Sequence, residues 1–326
     1  MISNTGKGYI LGAVASITYG MNPLFVVPLY KNGMDADSVL FFRYFFGIVI
    51  LGAMLYIRQP KGVNELYVEG QSKWNVFRLK WRQAIILACY GVLMAMSSLG
   101  LFLSYNYMDA GIASTMLFVY PVIVAVLMAV FHREHLSLQT VICILTALLG
   151  IFLLYKQSDG ATLSITGTLL VLVSAFTYAL YLVEVNRHGI SEIPTLKVTF
   201  YVLLFGLGLY LGRSIYNGGI AVPTPDKWYL WLNLVALGLL PTAISFLCTT
   251  AAIQYIGTTP VAILGALEPA TAVFFGVMVF GEELTPREFT GLMLIILAVT
   301  AVVAGGNISH QLTRFRKLFP KHRSKV

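Results

Sequence analysis

The sequence predicts an all-α membrane protein, with ten transmembrane helices arranged as two inverted five-helix repeats. Three observations predict it. Of 326 residues, 58% are hydrophobic and only 11% are charged, against about 25% charged in an ordinary soluble domain. The apolar residues fall into ten runs near the ~20 residues that a helix needs to cross the hydrocarbon core. The pattern then repeats itself after five runs. With a mean hydropathy of +0.79, too little polar surface remains for a soluble enzyme, a disordered chain or a disulfide scaffold.

The runs lie at about 8–29, 38–57, 83–106, 111–131, 138–156, 166–187, 194–213, 228–253, 259–280 and 287–305. The first follows Lys7 and has the look of a signal peptide. It is longer than a signal core, and nine more runs follow, so it is read as an uncleaved first helix. Orientation follows from Lys and Arg, which concentrate on the cytoplasmic side. With the N-terminus inside, sixteen of the 22 basic residues fall in inner segments and five in outer ones, while Arg43 lies within a span. Both termini are therefore expected in the cytoplasm of a bacterial-type inner membrane.

The one sizeable loop, about 58–82, is polar and basic, and Gly62 and Gly70 argue against a long rigid helix there. The tail from about 308 carries Leu312, Phe315 and Leu318 among basic residues. It either rests on anionic inner-leaflet lipid or is a frayed tail whose charges only set topology. The expected divisions are 1–157, 158–307 and the tail 308–326. The net charge of +8 sits mostly in the blocks 58–82 and 314–325, outside the apolar runs. Topology accounts for it, and no nucleic-acid partner is expected. Cys89, Cys143 and Cys248 are odd in number and form no CxxC. They read as buried structural thiols, with no disulfide framework or zinc site.

A shift of 148 residues lays Tyr107 on Tyr255, Pro121 on Pro269, Glu134 on Glu282, Leu136 on Leu284 and Ser137 on Thr285. A shift of 159 lays Gly8 on Gly167, Leu11 on Leu170, Val14 on Val173 and Thr18-Tyr19 on Thr177-Tyr178. Both offsets divide the spans five and five. Five is odd, so the halves enter the membrane from opposite sides. Inverted repeats are a common construction of secondary transporters, with the substrate site near the midplane between the repeats.

Leu267-Glu268-Pro269-Ala270-Thr271-Ala272, then Gly281-Glu282-Glu283-Leu284-Thr285 and Gly291, resembles the end of an EamA-type repeat of the drug/metabolite transporter superfamily. Tyr120-Pro121 and Glu134-His135-Leu136 look like a degraded first copy, and Phe42-Arg43-Tyr44 resembles the family's Arg-aromatic signature. The resemblance covers about 8–305. It implies ten helices around a cavity lined by the first, third, fourth, sixth, eighth and ninth. It also implies a carrier of small metabolites (amino acid-like, nucleobase or similar solutes), often directed outward. Two positions break the symmetry: Tyr120 stands where the second half has Glu268, and Val202 where a second Arg43 would fall. A non-transporting sensor or scaffold on the same fold is the rival reading.

A charge at mid-membrane costs about 2.5–3.5 kcal/mol on insertion scales, so such residues are functional candidates. Glu268 precedes Pro269, which should leave the Gly265 carbonyl without its helical donor. Glu268 is a candidate proton carrier, substrate-amine partner or structural acceptor. In the sixth span Ser174, Thr177, Tyr181, Glu184 and His188 are spaced 3, 4, 3 and 4, which puts them on one face. That stripe reads as a water-lined path, or, for Glu184, as an interfacial pair with Arg187 or Lys197. Arg43 either holds a substrate carboxylate or pairs with Asp35 or Asp109. Asn22 either satisfies backbone freed by Pro23 or faces substrate. Tyr19 and Tyr178, equivalent across the repeat, and Tyr120 beside Pro121 complete the candidates. Gly8/Gly12 and Gly208/Gly212 offer close helix packing.

Enzyme motifs fail. His132-Arg133-Glu134-His135 is not HExxH, and neither GxSxG nor GxxxxGK[ST] occurs. No cofactor or metal is expected. The expected partners are a small solute, membrane lipid and a proton or other coupling ion.

Overall fold

The computed structural model describes residues 4–58, 77–132, 138–155, 164–185, 193–256, 261 and 264–301. Among these residues it is all helical. The elements are α1 (Asn4–Gly20), α2 (Asn22–Lys31), α3 (Ala36–Arg58), α4 (Trp81–Ser104), α5 (Ala110–Leu117), α6 (Tyr120–His132), α7 (Leu138–Tyr155), α8 (Ile165–Val185), α9 (Thr195–Tyr216), α10 (Trp228–Gly238), a π-helical turn (Leu239–Ile244), α11 (Ser245–Ile256), α12 (Leu267–Phe280) and α13 (286–301). Seven helical stretches are long and apolar enough to cross a membrane, several of them formed by two elements end to end. Val141–Leu153 and Leu267–Phe280 are shorter apolar helices.

Small residues bring the helices together. A methyl group at Gly8 would lie 2.5 Å from the Ile256 side chain, and one at Gly12 2.6 Å from Leu264, so α1 packs closely on α11 and the segment after it. A methyl at Gly100 would meet the Leu170 carbonyl at 2.7 Å, and one at Gly91 the Val202 carbonyl at 2.8 Å. These approaches seat α4 against α8 and α9. The expected Gly208/Gly212 pair does no such work, because both positions face open space. Cys143 is buried as expected, whereas Cys89 is exposed. Without water to compete, side-chain hydroxyls bridge the helices: Ser174 donates to the Ser97 carbonyl (2.6 Å), and Tyr210 to that of Ala95 (2.8 Å). Such bonds average below about 1 kcal/mol each, because the unassembled helices also find partners.

One end of the bundle is tied by polar contacts. Arg213 Nε lies 2.7 Å from Asp37, and Asn217 also donates to that carboxylate (3.0 Å). Lys227 and Tyr229 donate to Asn32 at 3.3 and 3.2 Å. At the start of α13, Glu288 accepts from the Thr285 amide (2.9 Å) and Thr285 Oγ1 accepts from the Glu288 amide (3.2 Å). This is a capping box, which satisfies donors that a helix start otherwise leaves open.

Candidate functional site

Three helices break where a proline removes a backbone donor. The first break is at Met21 between α1 and α2, ahead of Pro23. The second is at Phe118–Val119 between α5 and α6, ahead of Pro121. The third is the turn at Gly265–Ala266 entering α12, ahead of Pro269. The residue before each proline, namely Asn22, Tyr120 and Glu268, lines one shared cavity of about 290 Å³. Broken helices of this kind put polar groups at membrane depth only where they line a cavity or are buried in protein.

Each break is repaired locally. In an unbroken helix the amide at position 23 would reach the Tyr19 carbonyl. Proline has none, and the Asn22 side-chain amide donates to that carbonyl instead, at 2.8 Å. The sequence expectation of an orphaned Gly265 carbonyl is corrected: the Glu268 amide closes onto it at 2.9 Å in a three-residue turn. Gly20 makes room for the crossing of α1 and α12, since a side chain there would collide with the Glu268 carbonyl and Thr271.

The walls come from the first, third, fourth, sixth, eighth and ninth expected spans, the set implied by the resemblance. Tyr19, Tyr105, Phe118, Tyr120, Tyr178 and Phe246 give the cavity an aromatic face. Tyr120 and Tyr178 meet edge to face at 4.6 Å between ring centres. Ser16, Ser114, Ser245 and Thr249 add hydroxyls. Tyr105 and Ser114 hydroxyls pair at 3.1 Å, and Ser245 donates to the Ala15 carbonyl at 3.0 Å. Sequence reasoning missed these residues. Only Ser16 carried a signal, one helical turn before the candidate Tyr19.

Two acceptors on residues that line this cavity are unspent. Asn22 is 3% exposed, and its Oδ1 has no hydrogen-bond partner among the described residues. Leaving such an atom unsatisfied costs about 1–3 kcal/mol. The Glu268 carboxylate likewise has no side-chain hydrogen bond or ion pair among the described residues. It is the one acidic or basic side chain in the cavity wall among those residues.

The remaining candidates lie elsewhere. Arg43 is 3% exposed and is not in the cavity wall. Its Nε donates to Thr242 Oγ1 (3.1 Å) in the π-helical turn, and its guanidinium lies 5.2 Å from the Phe102 ring centre. Tyr19, in the cavity wall, lies within electrostatic reach of it. Neither Asp35 nor Asp109 pairs with it among the described residues. The α8 stripe divides: Tyr178 faces the cavity, whereas Thr177 is bonded back to the Val173 carbonyl (2.9 Å) and Ser174 to Ser97. Tyr181 stacks on Tyr178 (6.1 Å) and meets Tyr90 edge to face (6.0 Å), outside the cavity wall. Glu184 is outside it too, and its backbone carbonyl accepts from Tyr90 at 2.8 Å. His188 and Arg187 lie outside the described residues, as does Glu134.

Comparisons with known proteins agree with this architecture. The chain matches the EamA-like transporter family model over residues 6–156 and again over 165–304. An uncharacterized inner membrane transporter, YicL of Salmonella typhimurium, is 24% identical over 92% of this chain and 96% of its own. The threonine/homoserine exporter RhtA of Escherichia coli is 26% identical over 69% of this chain and 72% of its own. A solved crystal structure aligns over 94% of this chain and 98% of its own, with a TM-score of 0.63 at 19% identity, which supports the fold alone. A cavity at the proline breaks of a membrane-helix bundle, together with a family match across nearly its whole length, places this chain in the EamA-like transporter family.

Proposed function

We propose that this transporter exports a small amine-bearing, amino acid-like metabolite by alternating access. In this reading ten spans form two inverted repeats, 1–157 and 158–307, with both termini in the cytoplasm of the inner membrane. The observation that carries the substrate class is the pair of unspent acceptors, Asn22 Oδ1 and the Glu268 carboxylate, in one aromatic cavity. A solute that supplies donors relieves the cost of both. An ammonium group does so best, because charge-assisted hydrogen bonds are about twice as strong as neutral ones. Aromatic faces add cation–π attraction. The volume of about 290 Å³ sits at the low end for ligand sites, which suits a small metabolite. Export is the direction named for the similar threonine/homoserine exporter.

Purified protein in liposomes tests this. Exchange of labelled amino acids is measured against nucleobases and sugars, from each side of the membrane. The expected result is exchange of an amine-bearing solute, lowered at least about tenfold in Glu268→Gln, the loss of one charge-assisted bond. Exchange of only nucleobases or sugars refutes the amine assignment. Binding without flux for every class refutes transport and favours a sensor.

A further inference from the structure

Glu268 and Glu282, at the two ends of α12, serve different ends of the bundle. Glu268 opens α12 at the cavity. Glu282 follows its other end, about 18 Å along the axis at 1.5 Å per residue. There Gly281 adopts a left-handed conformation (φ +69°), which a side chain would resist. The chain folds back, and the Glu282 amide bonds the Gly276 carbonyl at 3.0 Å. This reversal aims the Glu282 side chain across to the first half. Its Oε1 accepts from the Ala110 amide at the start of α5, at 3.2 Å. Its other oxygen fills the space left by two glycines: a methyl at Gly111 would come within 2.9 Å of it, and one at Gly276 would overlap it. The joint therefore crosses from one family-matched stretch to the other.

The groups around this joint are mostly acidic. Asp109 immediately precedes Ala110 and repels Glu282, Glu288 of α13 acts on Asp109, and the Tyr105 phenol faces Glu282 from the end of α4. Lys31 of α2 lies 5.5 Å from the Phe280 ring centre, and Arg287 donates to the Leu153 carbonyl at 3.2 Å. Among the described residues neither ion-pairs with Glu282 or Asp109.

We propose that Glu282 is the outer latch of the transport cycle, a positioning residue that holds the two halves closed over the cavity and closes more firmly in acid. "Outer" and the cycle itself rest on the reading proposed above; the acid-sensitive joint does not. The sign follows from linkage. Burial and the Asp109 carboxylate push the Glu282 carboxyl up to about 7, despite the stabilising amides of Ala110 and Gly111. When the joint parts, water restores the ordinary value of 4.5. The closed state thus binds the proton more tightly, and acidification through the interval between those values favours closing. Partial solvent exposure screens the effect, so we expect several-fold per pH unit rather than the full tenfold.

The test uses full-length protein in nanodiscs, with the native cysteines replaced and spin labels at Asn106→Cys and Met278→Cys. Pulsed distance measurements run from pH 5 to 8.5. The expected result is a short-distance population that grows several-fold per unit as pH falls through 7. Glu282→Gln, which keeps the shape and the acceptor, should lose that midpoint and stay closed. Gly276→Ala should push the distribution long at every pH. A Glu282→Gln protein that titrates like wild type overturns the proposal, as does a Gly276→Ala protein with unchanged distances. Distances that titrate in a protein with no flux for any solute leave the joint standing and remove the transport cycle. A wild-type flux profile across pH that Glu282→Gln leaves unaltered removes the latch from the cycle.

Discussion

Arg43 and Glu268 both lie inside apolar spans, and the structure treats them in opposite ways. Arg43 is enclosed: its Nε is spent on Thr242 and its flat face on Phe102. Glu268 lines a cavity with no side-chain partner among the described residues. Tyr19 lies within electrostatic reach of both and separates them. The contrast shows that burial of a charge is not by itself a mark of function. Arginine can distribute five donors and a stackable plane among neutral neighbours. A carboxylate offers only acceptors, and that of Glu268 engages none of the hydroxyls in the cavity wall.

The comparison can be broken or sharpened by substitution. The largest effect belongs to Glu268→Gln: at least about tenfold lower exchange, with thermal stability unchanged or raised, since an unpaired charge in a cavity costs the fold. A lower melting temperature with intact exchange would reverse the two roles. Arg43→Met should do the opposite, losing about 1–3 kcal/mol of stability through its hydrogen bonds and ring contact, while affinity for the solute stays within about threefold. Loss of binding in a protein that still melts normally would return Arg43 to the site. Asn22→Ala should weaken binding by about threefold to tenfold and also loosen the α1–α2 break, because one side chain serves both the Tyr19 carbonyl and the cavity. Separating the two needs Asn22→Asp, which keeps an acceptor and loses the donor. Binding that falls as far in Asn22→Asp as in Asn22→Ala would mean that only the backbone repair matters. Thr177→Val should be the smallest, within about 0.5 kcal/mol and without effect on exchange, since its hydroxyl only bonds back to its own helix.

The α8 stripe shows where reading the chain stops. Ser174, Thr177, Tyr181 and Glu184 share a helical face by spacing, and a single water-lined path was the natural expectation. A helix face of that width meets more than one neighbour. Ser174 turns to α4, Tyr181 to Tyr90, and Tyr178, one position off the stripe, takes the cavity. The X-Pro positions were more legible. Asn22, Tyr120 and Glu268 were all candidates because each precedes a proline, which removes a backbone donor, although Pro28 sits inside the continuous α2. Their convergence on one cavity was not legible, since it depends on how three separate helices cross. Glu282 shows the same limit: Gly281-Glu282 was recognisable as part of a family motif, but its partner at Ala110 is 172 residues away.

Local chemistry in the sequence determined the membrane setting, the helical class, the family and the places where helices break. Each follows from hydropathy, span length and proline acting within a few residues. Tertiary packing alone decided which polar groups find partners. Asn22 Oδ1 and the Glu268 carboxylate were left without partners among the described residues and Arg43 was closed in, because hydrogen bonding at membrane depth is settled by whichever helix lies alongside, and that neighbour is distant in the chain.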